Sequence, residues 1–516
     1  MKKVAGLRGL SSLAGGPRRR ALIAIALGLV LLVLVNVLVH QPSGGTAAGG
    51  FVGPPTLPVV EMHKPGAWHC PGPLPIGTGP ESSRISIVND GNAPVDLVAV
   101  VSRTGLAKGG TSSGEHASSV PVAVGAESEA VLPLATTGAP GFAAVSLEAE
   151  GGGIAVAESI AGTSITGGVV ELSSPCSLST GVRGYLPAGG TYGGSNVRVS
   201  VYDPDATPAT VNVSISTGTA IASPPAFQGV VVPAMGLVVL NLHRWIFEQS
   251  SLAVTATAVS GDIVVGALEL TSETLKVASR SASGNEIRQV FVSGSSLLVG
   301  PDHGRGRWSF VAMQSNRGVA STYSVYNPGS KPVAVSVAPP GPAGIAAALS
   351  EVVPAGGIVD FATPVTGRSG LGTASVVISA QKGMPIVVAR LTTRYKTRLL
   401  EAVDVTPGTA GPHEEWVAAG GSLSPQVEDV LTLDDPGSKA ATVTLSELSN
   451  GRSGRARLGV VGLVAGSEMD FNVGSVLRHA PSFALLVSAN IPILVEQQLT
   501  YRGGLTASAG GIPVLP

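Results

Sequence analysis

Charge is what this sequence has least of. Asp, Glu, Lys and Arg together make up 13% of its 516 residues, and aromatic residues make up 4%. Cysteine occurs twice, as Cys70 and Cys176. The formal net charge of −1 conceals an uneven distribution. Residues 1–40 carry Lys2, Lys3, Arg8, Arg18, Arg19 and Arg20 and no acid. The remaining chain has 26 basic against 33 acidic residues, so it is acidic by about seven charges. No basic stripe with interleaved aromatics is present, which argues against nucleic acid as a partner. Gly (69) and Pro (38) are abundant instead, alongside many Val, Thr, Ser and Ala residues. Gly and Pro break helices while Val and Thr favour strands, so a helical bundle is excluded and short strands with many turns are expected.

One long apolar run stands out. Residues 21–40, from Ala21 to His40, are nearly uninterrupted in their hydrophobicity. Twenty residues at 1.5 Å each span about 30 Å, the thickness of a bilayer core. Arg18–Arg20 precede the run, and no Lys or Arg follows before Lys64. The positive-inside rule then predicts a cytoplasmic tail at 1–20, a single transmembrane helix at 21–40 and an extracytoplasmic remainder. A cleaved signal peptide is the competing reading, with Thr46-Ala-Ala48 as its small-residue site, but such apolar regions run only about 7–15 residues. Residues 41–63 lack periodicity and read as a Gly/Pro-rich linker. Outside the cytoplasm an even cysteine pair is most simply one disulfide, Cys70–Cys176.

A strand–turn–strand phrase occurs four times. It reads Ile85-Ser-Ile-Val-Asn89-Asp-Gly-Asn-Ala-Pro94-Val, then Val199-Ser-Val-Tyr-Asp203-Pro-Asp-Ala-Thr-Pro208-Ala. The later copies are Tyr323-Ser-Val-Tyr-Asn327-Pro-Gly-Ser-Lys-Pro332-Val and Leu431-Thr-Leu-Asp-Asp435-Pro-Gly-Ser-Lys-Ala440-Ala. The copies lie roughly 110–120 residues apart, a domain-sized period. Asn or Asp before Pro and Gly is turn chemistry, and alternating apolar residues on both flanks predict two half-buried strands paired as a hairpin. Further landmarks recur around the phrase. An aromatic strand opens each copy, at Trp68, Tyr185, Trp308 and Trp416. A Gly-centred strand follows near Gly125, Gly236, Gly356 and Gly466, a strand pair begins its second member at Ile154, Ile263, Ile386 and Ile493, and a final strand closes each copy, for example Gly168-Val-Val-Glu-Leu. The count comes to about seven strands per copy.

The predicted fold is therefore all-β: four tandem immunoglobulin-like or fibronectin-like sandwich modules at 64–178, 179–303, 304–412 and 413–516. A β-propeller-like closure ranks second, because blades of about 40–50 residues are less than half the observed period. Cys70 on the first strand of module 1 and Cys176 after its last would tie the two ends of that module together, worth up to about 4–5 kcal/mol in the chain-entropy model.

The order of aromatic opening strand, Asn-Pro-Gly phrase, Pro-x-Gly strand and Pro-Ile-Val-Val strand is similar to repeat modules of bacterial cell-surface proteins. With Trp68-His-Cys70, one N-terminal apolar run and a Gly/Ala/Val-rich composition, the chain resembles the actinobacterial "domain of unknown function 5719" proteins. That resemblance implies an anchored extracytoplasmic β protein with no assigned activity, and it carries over no catalytic residues. Module 4 departs from the pattern at Glu414 and at Ala440.

Motifs for chemistry are sparse. Gly110-Thr-Ser112-Ser-Gly114 matches the hydrolase nucleophile elbow in letters, yet it lies in a Gly/Ser-rich stretch followed by a strand, so a flexible loop is expected. His63, His69 and Cys70 lie close together without the spacing of a metal site, so no metal or other cofactor is predicted. Glu414-Glu415 and Asp434-Asp435 are adjacent pairs, which on a strand point to opposite faces. No titratable residue recurs at one place in all four copies: four residues after the recurring Ile stand Glu158, Ala267, Arg390 and Gln497. No catalytic residue is predicted. Asp302, His303, Arg305 and Arg307, at the junction of modules 2 and 3, form the most polar run. They read as a solvated linker, with a contact patch for an anionic glycan or partner as the sharper alternative. The functional expectation is a non-enzymatic, membrane-anchored cell-envelope protein acting as scaffold or binding module, its partners the cytoplasmic membrane through residues 21–40 and an envelope glycan. Two alternatives are carried: an accessory subunit of an envelope glycan-synthesis or export machinery, in contact with a membrane glycosyltransferase, and a divergent envelope hydrolase with its site around His303 and Arg305.

Overall fold

The computed structural model describes residues 60–515 apart from loop segments, the longest being 312–318, 339–348 and 363–374. The tail 1–20, the apolar run 21–40, most of the linker and His63 lie outside the described residues. Among the described residues, regular structure consists of β-strands and short 3₁₀ turns, and no helix is long and apolar enough to cross a membrane.

Module 1 sets the pattern. Its strands are β1 (Gly66–Ile76), β2 (Glu81–Asn89), β3 (Val95–Gly105), β4 (His116–Val124), β5 (Ser128–Pro133), β6 (Gly141–Ala149), β7 (Ile154–Thr163) and β8 (Val169–Pro175). They form two antiparallel four-stranded sheets, ordered β1-β6-β3-β4 and β8-β7-β2-β5. Module 3 repeats both orders, and modules 2 and 4 follow them with added strands. In module 4 the counterparts of β6 and β7 are one strand, Phe483–Tyr501, which pairs with one sheet in its first half and the other in its second. Module 1 thus has eight strands where about seven were expected; the one not foreseen is β4 (His116–Val124), which pairs with β3 ahead of the Gly125 turn.

The repeated phrase is not a hairpin. Its two strands, β2 and β3 in module 1, lie in different sheets, and the turn between them arches from one to the other. Alternating hydrophobicity demands only one inward face per strand, and an arch satisfies that as well as a hairpin does. The Asn or Asp holds the arch. Asn89, Asp203, Asn327 and Asp435 are fully buried. Each accepts, through its side-chain oxygen, the N–H two residues on: Gly91 (2.9 Å), Asp205 (2.8 Å), Gly329 (2.9 Å) and Gly437 (2.8 Å). Asn89 Nδ2 also donates to the Gly125 carbonyl (2.8 Å), and Asn327 Nδ2 to that of Pro354 (3.0 Å), so the side chain binds the next turn across the sandwich. In that next turn Glu127, Met235, Gly356 and Gly466 carry positive φ; in module 2 the position falls to Met235, one residue before Gly236. The N–H groups of Glu127, Met235 and Gly356 return to the carbonyls of Gly91, Asp205 and Gly329.

Burial alternates residue by residue from Ala209 to Ile215 and in Val333–Ala338, as the sequence pattern requires. Trp68, Trp308 and Trp416 are buried in their modules, and the Trp308 indole donates to the Ile386 carbonyl (2.8 Å). In module 2 the equivalent position is Gly184, where Val265 fills the space a Cβ would take. The Cys70–Cys176 disulfide is present as expected, between fully buried residues with Cα atoms 4.6 Å apart, and it joins β1 to the residue following β8.

The modules do not hang as separate beads; residues 55–516 form one compact unit. Module 4 packs onto module 1. One apolar cluster holds Ile85, Ile87 and Leu147 together with Val417, Leu486 and Val514. Ser482 Oγ donates to the Glu129 carboxylate (3.0 Å), and Arg455 Nε pairs with Glu127 (2.6 Å). The linker contributes a strand, Val60–Glu61, that pairs in parallel with Ile512–Leu515. Four seams therefore form a cycle, 1–2, 2–3, 3–4 and 4–1. Within the Gly110–Gly114 motif, Thr111–Ser113 is a strand paired to Gly236–Asn241 of module 2, and among the described residues the next elements on either side are strands, not the strand–turn–helix of a nucleophile elbow.

Candidate functional site

The four seams are built from the same three structural positions. The first is on the opening strand, opposite the second, which is on the β6 counterpart of the same module. The third belongs to the next module, immediately before its arch Asn or Asp. In seam 1–2 these are His69, Ser146 and Tyr202. His69 Nδ1 and Ser146 Oγ lie 2.8 Å apart, and Ser146 Oγ is 2.8 Å from the Tyr202 hydroxyl. Burial pushes His69 down to about 4, so this chain is built on a neutral imidazole. In seam 2–3 the trio is Tyr185, Thr255 and Tyr326. The two rings meet at 6.2 Å, and Thr255 Oγ1 is 2.9 Å from the Tyr326 hydroxyl. In seam 4–1 it is Val417, Leu486 and Val88, all buried and apolar.

Seam 3–4 differs. Its trio is Ser309, Val377 and Asp434. The aromatic ring is missing and Val377 offers no hydroxyl. A cleft of about 370 Å³ opens there, with Ser309 and Val377 in its wall. Its other walls are Pro412, Ile491, Pro492, Leu494 and the arch of module 4, Pro436 to Lys439. Arg307 and Lys439 are the two charged side chains lining it, both exposed. Asp434 is buried behind the arch, its carboxyl pushed up to about 6 by burial, and its Oδ2 has no hydrogen-bond partner among the described residues. Beneath the seam, Arg390 of module 3 pairs with Glu496 of module 4 and donates to the Val311 carbonyl (2.9 Å).

The predicted polar run is divided by the fold. Asp302 and His303 are half-buried and paired with each other. Arg305 is buried, its guanidinium 5.4 Å from the centre of the Trp308 ring, and burial lowers it to about 10 against the pull of Asp302. These three line a pocket of only about 30 Å³, too small for a polymer segment. Arg307 alone leads into the large cleft.

Of the remaining candidates, Glu158 and Asp429 are enclosed, and Glu129, itself buried, borders a cleft at seam 4–1. Glu158 sits against the disulfide, accepts the Gly72 N–H (3.0 Å), and is pushed up to about 8 by burial. With Cys70 and Cys176 bonded to each other, no thiolate is there to join it as a metal ligand. Glu129 and Asp429 are each raised to about 7 by burial, Glu129 against the hydroxyls of Ser86 and Ser482, Asp429 against Gln497. Glu414 is exposed, while Asp434 and Asp435 are both buried. A cleft of about 390 Å³ at seam 4–1 runs from Pro121 to the loop at Asn450–Ser453.

Two features escaped sequence reasoning. The cleft is one; its signal is the variable residue before the arch, Val88, Tyr202, Tyr326 and Asp434. The other is the loop at Trp245 and Phe247, exposed at 41% and 58% in a chain poor in aromatics.

No family model and no curated protein matches the chain. Two solved structures are similar at low identity. One is a tetra-tandem repeat in the extending region of a large adhesion protein, at 15% identity and a TM-score of 0.09, covering 82% of this chain and 93% of that one. The other is trypsin-activated alpha-2-macroglobulin from Escherichia coli, at 9% identity and a TM-score of 0.12, covering 88% of this chain and 42% of that one. The chain thus spans less than half the length of the second.

Proposed function

We propose that the protein is a non-enzymatic, membrane-held cell-envelope scaffold whose β modules bind an envelope component outside the cytoplasm. One observation carries this reading: the polar residues that recur are consumed by the fold. Asn89, Asp203, Asn327 and Asp435 are buried and bonded to backbone in every module. Of the carboxyls that burial raises to about 7 or 8, Glu158 and Asp429 lie in the interior, and Glu129, at the edge of the seam 4–1 cleft, is engaged by the Ser86 and Ser482 hydroxyls. The cleft at seam 3–4 offers two cations and no carboxylate. An acid–base pair for polymer cleavage needs partners within reach of one substrate, which that lining does not supply.

The apolar run 21–40 with Arg18–Arg20 supports a single-pass anchor with the N-terminus in the cytoplasm. The disulfide supports an oxidising compartment. The resemblance to the "domain of unknown function 5719" proteins points the same way. Affinity capture of the tagged full-length protein from its native membrane tests the reading. Recovery of an envelope glycan supports it. Recovery of a membrane glycosyltransferase replaces it with the accessory-subunit reading, which the anchor also favours. Turnover of an envelope polymer by the purified full-length protein, lost in His303→Ala, would overturn both.

A further inference from the structure

We propose that seam 3–4 is a binding site for a small organic anion, a carboxylate or phosphate carried on a largely apolar body about one ring in size. The cleft lies where the residues of the recurring trio differ most from those of the other seams. Three seams fill the same three positions, two with a tyrosine and one with aliphatic side chains. In the fourth, Asp434 stands where Tyr202 and Tyr326 stand elsewhere, and Val377 where Ser146 and Thr255 stand. The cleft beside these positions has a volume of about 370 Å³, is open to solvent, and has Ser309 and Val377 in its wall, within the range of small-molecule sites.

The lining sets the ligand's chemistry. Val377, Pro412, Ile491 and Leu494 give an apolar wall. Arg307 and Lys439 put two positive charges on the same cleft with no acid lining it. An oxyanion satisfies both cations, and a guanidinium matches its two oxygens. Asp434 and Asp435 are buried behind the arch, Asp435 engaged with the Gly437 N–H, so neither faces the ligand as a wall residue. The inference deepens the scaffold reading by naming a ligand class, yet titration of purified protein tests the cleft alone. Capture from the membrane tests the scaffold role, so each can fail without the other.

The test uses the full-length protein in detergent, titrated calorimetrically with benzoate, phenyl phosphate and benzamide. Benzamide is the neutral counterpart of benzoate with the same ring. Saturable binding of at least one anion is expected, about ten-fold or more tighter than benzamide, as one charge-assisted contact implies. Tighter binding of phenyl phosphate assigns a phosphate source, and of benzoate a carboxylate source. Arg307→Gln and Lys439→Gln, both at exposed positions, are each expected to weaken the anions about five-fold or more while leaving the unfolding temperature in place. Benzamide binding as tightly as benzoate, unchanged affinity in both variants, or no saturable binding of either anion would overturn the proposal.

Discussion

Seams 2–3 and 3–4 join modules through the same strands, yet one is closed and the other open. Seam 2–3 is closed by Tyr185, Thr255 and Tyr326, in ring contact and hydrogen bonding. Seam 3–4 keeps a cleft at Ser309, Val377 and Asp434 and is held from beneath by the Arg390–Glu496 pair. The difference teaches that the architecture does not depend on what fills a seam. Aromatic stacking, aliphatic packing and a buried ion pair are interchangeable supports, and the one that leaves surface vacant leaves room for a ligand.

The comparison can be broken most severely at Arg390. Arg390→Met strands the Glu496 carboxylate in the interior, and a loss of about 3–5 kcal/mol in urea unfolding is expected. Arg390→Met with Glu496→Leu is expected to recover most of that loss, because two apolar side chains leave no buried charge. If the single variant is as stable as the parent, seam 3–4 is not held as described. Next in size is Tyr326→Ala at the closed seam, where losing a buried ring is expected to cost about 3 kcal/mol. It should also open a cleft at seam 2–3, detectable as a new benzamide site, since no comparable pair of cations is needed for a neutral ring.

A smaller effect depends on pH. The Asp434 carboxyl is raised from its ordinary value of 3.8 to about 6 by burial. The fold therefore favours its neutral form, and its stabilisation is complete below about pH 4 and lost as pH rises through 6. Asp434→Asn is expected to lessen the fall in stability between pH 4 and 7, measured by urea unfolding at each pH. Tyr326→Phe should leave that slope unaltered. The smallest change is the hydroxyl itself: Tyr326→Phe is expected to cost about 1 kcal/mol, with Thr255 left without its partner. A cost near zero would mean the ring alone closes seam 2–3.

Much of the fold was legible in the letters. The period of Asn89, Asp203, Asn327 and Asp435 counted the modules, because an Asx turn needs that residue type wherever the chain reverses. The alternation around Val211 and Val335 marked strands, because a pleated chain exposes every second side chain. Cys70 and Cys176 paired as expected. The phrase misled in one respect: alternation is silent on which sheet receives the second strand, so β2 and β3 read as a hairpin. The candidate site was legible only in part. Arg307 was singled out with Asp302, His303 and Arg305, but the fold sends Arg307 into the cleft and Arg305 beneath Trp308. Lys439 and Val377 lie about 130 and 70 residues from Arg307, too far for a local pattern to unite them.

The sequence by itself determined the all-β class, the four-fold repeat, the turn chemistry and the cross-link, since these follow from local backbone preferences and from a period that counting reveals. Only the tertiary structure decided that the arches cross between sheets, that module 4 packs back onto module 1, and that the trio positions are filled at three seams while a cleft opens beside them at the fourth. Those outcomes rest on side chains from separate modules competing for the same volume, and volume is a property no single stretch of chain possesses.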